Sequence, residues 1–113
     1  MAMEETKKLY RPGELTPFKP IHPGEMLNDE IKARGITQRK FADVLGCSYY
    51  VVNEVVNGKR PISVEMALKI EAALGTPAYI WQRLQADYDM QVARKDSKLS
   101  ALLKRIQSAA AML

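Results

Sequence analysis

The sequence predicts an all-α protein: a bundle of five helices followed by one extra amphipathic helix at the C-terminus. Three observations carry that prediction. Apolar residues recur at spacings of three and four from Met26 to Leu113, the period of a helix rather than of a strand. Glycines stand where those runs stop, at Gly35, Gly46 and Gly75. Hydroxyl residues that cap helix N-termini stand where the next runs start, at Thr37, Ser48 and Ser63. At 113 residues the chain has room for one ordinary domain.

Taken in order, residues 1–22 contain Pro12, Pro17 and Pro20 with little periodicity and read as an irregular arm. Pro23 suits a first helical turn, and Met26, Leu27 and Ile31 give the first helix its apolar face up to Gly35. Thr37 caps a short second helix over Gln38 to Leu45, with Phe41, Ala42 and Leu45 inward. Ser48 caps a third over Tyr49 to Val56, striped by Val52, Val55 and Val56 and closed by Asn57-Gly58. Ser63 opens a fourth, with Met66, Ala67, Ile70, Ala73 and Leu74 facing the core.

Thr76 and Pro77 read as cap and first turn of a fifth helix, from about Ala78 to Lys95. Its apolar face is Tyr79 or Ile80, with Trp81, Leu84 and Tyr88, broad enough to close the core or to pack on a second subunit. Residues 23–95 therefore form the domain. Residues 96–113 are a helical extension striped by Leu99, Leu102, Leu103, Ile106, Ala109, Ala110 and Leu113. A helix of this length is marginal unless its stripe is covered, which requires a second copy or another protein.

Composition narrows function by exclusion. Apolar stretches are far shorter than the roughly 20 residues that cross a bilayer, and Met1 to Tyr10 lacks a signal-like apolar block, so a cytoplasmic protein without membrane contact is expected. One histidine, His22, and one cysteine, Cys47, have no catalytic or metal-binding companions, so no enzyme, metal or cofactor is expected. His22 instead reads as a local cap before Pro23, and Cys47 as small core filler. A formal charge of +4 suits a polyanionic partner without proving one.

Two short helices joined by a tight turn form the element that places its second helix in the DNA major groove. Here Phe41, Leu45, Val52 and Val55 lock the pair, leaving Tyr49, Tyr50, Asn53 and Glu54 outward as candidate base readers. Tyrosine can donate to phosphate or pack on a thymine methyl, and Glu54 can accept from cytosine N4. Lys59 and Arg60, after the turn, lie where cations displace counterions from the DNA backbone.

The segment TQRKFADVLGCSYYVVNEVVNGKRPIS, Thr37 to Ser63, resembles the helix-turn-helix of xenobiotic-response-element regulators and lambdoid phage repressors. HPGEML at His22 to Leu27 and ISVEMALKIEAALGTPAYIWQRLQADYD at Ile62 to Asp89 look more closely like HigA/VapI-type antitoxins, so the resemblance spans about residues 20 to 95. It implies a lambda-repressor-like five-helix domain that dimerises on double-stranded operator DNA before its own genes and neutralises a HigB-type toxin that cleaves messenger RNA. It places Gln38, with Arg39 beside it, and Ser48 at phosphate-anchoring positions, and Asn57, Gly58, Lys59 and Arg60 in the phosphate-clasping turn. Tyr49, Tyr50, Val51 and Glu54 take the base-reading positions, departing from the glutamine-rich phage pattern. The alternatives are a free-standing regulator of the same fold, or a module whose arm and last helix chiefly grip a toxin.

Overall fold

The computed structural model describes residues 19–113. They form six helices: α1 Pro23–Ala33, α2 Gln38–Leu45, α3 Tyr49–Val56, α4 Val64–Leu74, α5 Ala78–Arg94 and α6 Ser97–Ala110. No strand occurs among the described residues. The proline-rich arm expected over residues 1–22 lies outside the described residues up to residue 18, and residues 19–22 have no regular structure.

The N-terminal caps fall where the hydroxyls stand. Thr37 Oγ1 accepts from the Lys40 N–H at 3.1 Å, Ser48 Oγ from Val51 at 3.3 Å, and Ser63 Oγ from Met66 at 3.1 Å. Each satisfies a backbone donor that the helix itself cannot. His22 caps α1 in the same way, its Nδ1 accepting from the Gly24 N–H at 2.9 Å. At the other end of α2, Gly46 adopts φ 73°, a left-handed conformation that costs glycine little.

One cap differs from expectation. Helix α5 begins at Ala78 with Pro77 at the cap position and no capping bond from that residue's side chain. The Ala78 N–H instead donates to Glu71 Oε2 of α4 at 2.7 Å, so a carboxylate of α4 takes the capping role expected of Thr76. Arg34 ties the same helix from the other side: it donates to the Leu74 carbonyl at 3.2 Å and pairs with Glu30 at 2.9 Å.

The core comprises Leu27, Ile31, Phe41, Ala42, Leu45, Val52, Val55, Val56, Ile62, Met66, Ala67, Ile70, Leu74 and Trp81. Full burial of each large aliphatic or aromatic side chain among them contributes about 1.5–3 kcal/mol before entropy is counted. Met26, expected to share the face of α1, points outward at 49% exposure, because Leu27 and Ile31, one helical turn apart, already fill the contact. Tyr79 also faces solvent at 70% exposure, so the start of α5 contributes Trp81 rather than Tyr79 to the core. Cys47 is a free, half-buried thiol packed against the core.

Helices α1 and α3 meet unusually closely. A Cβ on Gly24 would lie 1.8 Å from the Val55 carbonyl oxygen, inside any allowed contact, so only glycine lets the start of α1 rest on the end of α3. That contact sets how far α3 stands out from the bundle. Helix α6 is the opposite case. It has no buried residue, it packs chiefly against α5 among the described residues, and Leu102, Leu103 and Ile106 are each about half exposed.

Candidate nucleic-acid interface

Helix α3 turns Val52, Val55 and Val56 inward, and at about 3.6 residues per turn the remaining positions run round to an outer face. Tyr50, 74% exposed, is the most prominent side chain on it. Tyr49 and Asn53 lie on its edge toward α2, Glu54 on the opposite side, and Asn57 continues it past the last turn. Val51, also expected among the base readers, is the least exposed of them to a groove. It falls on the flank of the helix beside the buried valines and packs partly against the core, leaving only part of its surface to a groove.

The polar residues of this face are joined before any ligand arrives. Asn53 Nδ2 donates to Gln38 Oε1 at 3.0 Å and to Tyr49 Oη at 3.3 Å, while Asn57 Nδ2 donates to Asn53 Oδ1 at 3.2 Å. The network spans α2 and α3 and fixes the rotamers of four side chains whose ordering would otherwise oppose binding. The Arg39 guanidinium lies 4.4 Å from the Tyr49 ring centroid, a cation–π contact, and Tyr49 meets Tyr50 edge to face at 5.7 Å. Ser48 spends its oxygen on the cap, which leaves its O–H free to donate.

Beyond α3 the chain turns at Gly58, whose φ is 73°. Lys59 is exposed, whereas the Arg60 Nη2 lies 2.9 Å from Glu54 Oε1. Both ends of this loop are held from outside it. Gly58 faces His22, whose Cβ a side chain at position 58 would meet at 3.5 Å and whose ring packs edge-on against Tyr88 of α5 at 4.8 Å. Ile62, 1% exposed, has its N–H accepted by Gln85 Oε1 at 2.8 Å and its carbonyl bonded by Gln82 Nε2 at 2.7 Å. Gln85 in turn donates to Asp89 Oδ1 at 2.9 Å.

Burial holds the His22 imidazole below its usual pKa, against the opposing pull of Asp89 and Glu25. The neutral ring is also the one that can accept at Nδ1 from Gly24. The clamp of Ile62, Gln82 and Gln85 has almost no signature in the sequence. Its only local signal was one apolar residue between Pro61 and Ser63 in an otherwise polar loop. Of the residues expected to serve core or interface, Trp81 is 3% exposed in the core, Leu84 packs partly against it, and Tyr88 lies half-buried against His22.

A short capped helix locked by its apolar face across a second short helix, with a polar outer face and a cationic turn, defines a helix-turn-helix protein. A helix-turn-helix family model matches residues 27–81. Virulence-associated protein I of Dichelobacter nodosus is 34% identical over 79 residues, covering 69% of this chain and 73% of that protein. A HigA-family addiction module antidote protein from Coxiella burnetii superposes with a TM-score of 0.69 at 32% identity, over 80% of this chain and 95% of that one. Pseudomonas aeruginosa antitoxin HigA, solved with the higBA promoter, gives a TM-score of 0.67 at 34% identity, over 80% and 94% of the two chains. The chain belongs to the family of helix-turn-helix proteins that includes the HigA antitoxins and virulence-associated protein I.

Proposed function

We propose that this protein is a sequence-specific repressor that binds operator DNA as a dimer and acts as the antitoxin of a HigB-type toxin. The observation that carries the reading is the outer face of α3, where prominent Tyr50 stands beside a polar network already ordered through Gln38, Tyr49, Asn53 and Asn57. A relative of the same fold, P. aeruginosa HigA, has been solved with its promoter. In this reading α3 enters the major groove, Tyr49, Tyr50, Asn53 and Glu54 face base edges, and Val51 offers a partly covered apolar contact. Gln38, Arg39, Ser48, Asn57, Gly58 and Lys59 lie against phosphates. A dimer would present two such helices to half-sites about 34 Å apart.

Binding, rather than catalysis, is the activity proposed, in the cytoplasm; among the described residues no helix is long and apolar enough to cross a membrane. The unpartnered stripe of α6 supports a protein contact there, with a second copy or with the toxin. Removing residues 97–113 is expected to change the mass seen by light scattering or the affinity for the toxin. If neither changes, that role of α6 is refuted.

The decisive experiment is a fluorescence-anisotropy titration against the promoter duplex of the protein's own operon and a scrambled duplex, at two salt concentrations. A preference of about a thousandfold or more supports specific repression. Equal or absent binding refutes it and leaves a protein-binding module.

A further inference from the structure

The position of Arg60 separates it from the phosphate-facing residues around it. Lys59 donates its backbone N–H to the Glu54 carbonyl at 2.8 Å, folding the chain back along the last turn of α3. That return brings the Arg60 side chain beside Glu54, with Nη2 at 2.9 Å from Oε1. The two side chains stay accessible, at 47% and 43% exposure, so the pair is formed at the edge of the DNA-facing surface rather than inside the protein.

An unpaired glutamate on a helix entering a groove walled by phosphates is repelled from both sides. Bonded to a guanidinium, it enters as part of a neutral pair. Arg60 engages Oε1, and a carboxylate has a second oxygen with its own lone pairs, so Oε2 remains an acceptor. The major groove offers two amino donors, cytosine N4 and adenine N6; adenine N6 lies beside the N7 acceptor, which repels a carboxylate, so cytosine N4 is the better partner.

We infer that Arg60 is a positioning residue, which neutralises and orients Glu54 so that its carboxylate reads a C·G base pair, and that it does not itself clasp the DNA backbone. This inference rests on the DNA-binding reading and assigns one base preference within it. The loss of Arg60 then removes discrimination at a single position, rather than affinity at all positions.

The test is selection of bound duplexes from a randomised pool by the full-length protein and by the variants Arg60→Ala, Glu54→Gln and Arg60→Ala/Glu54→Gln, each checked for wild-type helicity by circular dichroism. The expected wild-type motif holds a C·G pair that Arg60→Ala and Glu54→Gln each weaken by about tenfold against other pairs. Preferences elsewhere are kept, and the double variant loses no more than either single one, because the two side chains act as one unit. Uniform weakening of all duplexes by Arg60→Ala, with a salt dependence shallower by about one unit, would make Arg60 a phosphate contact and overturn the inference. An unchanged motif in Arg60→Ala overturns it equally. If the wild-type protein enriches no motif, it is the DNA-binding reading itself that fails.

Discussion

Replacing Gln85 by leucine removes the acceptor that holds the Ile62 N–H while keeping a side chain of similar size on α5. Ile62 is 1% exposed and Gln85 7%, so water cannot take over the bond. A buried donor stripped of its partner costs about 1–3 kcal/mol. Asp89, which loses the donation from Nε2, is exposed and regains water, so its share is small. The added apolar burial of leucine offsets part of the cost, leaving a net loss of about 1–2 kcal/mol. In a domain of this size that lowers Tm by about 4–15 °C. Urea denaturation reads the change as a lower midpoint at unchanged slope. Hydrogen exchange should show Ile62 among the amides that lose most protection. A Gln85→Leu protein as stable as the parent, with the Ile62 amide equally protected, would refute the claim that α5 clamps the loop.

Gly24→Ala should be among the most damaging single changes, because its Cβ meets a backbone oxygen rather than a side chain that can swing away. A loss of about 3 kcal/mol in urea melts is expected, and a loss under about 0.5 kcal/mol would mean that α1 can slide on α3 at little cost. Folding keeps His22 less basic than it is in the unfolded chain, so its contribution to stability is complete above the unfolded pKa of about 6.5. As pH falls below that value the unfolded state takes up the proton first, and stability declines until the folded pKa is passed. His22→Asn, which retains a cap acceptor without titrating, should flatten this part of a stability profile measured from pH 7.5 to 5. Lys59→Ala should weaken binding to all duplexes and make the salt dependence shallower by about one unit, whereas Tyr50→Ala should chiefly reduce discrimination between operator and random DNA. Anisotropy titrations on both duplexes separate the two outcomes.

What the sequence made legible follows from the range of the forces involved. Thr37, Ser48 and Ser63 bond to amides three residues away, and Val52, Val55 and Val56 share a face by helix geometry, so local spacing was enough. The inward choice of Leu27 over Met26 depends on what α3 and α5 present to α1, and spacing alone does not supply that. The Glu71 cap on α5 reaches seven residues and the Glu54–Arg60 pair six, each across a turn whose direction must be known first. The Gln85–Ile62 bond spans 23 residues and joins a glutamine to a backbone group, which carries no residue-type signature. Of the candidate site, the outward positions of α3 were readable. The hydrogen bonds among them, and the partly covered position of Val51, were not.

The loop after α3 has its path set by residues that do not belong to it. His22 supports it at Gly58, and Gln82 and Gln85 hold it at Ile62, while Lys59, Arg60 and Pro61 between them are exposed. Shape and charge are thereby assigned to different parts of the chain. Substitutions at 59 and 60 can tune attraction to a polyanion while the main chain keeps its course, so related proteins can drift in charge here without having to re-evolve the turn. Insertions are the opposite case: an extra residue between two fixed ends has nowhere to go without breaking one of them, so the length of this segment should be far less free to vary than its composition.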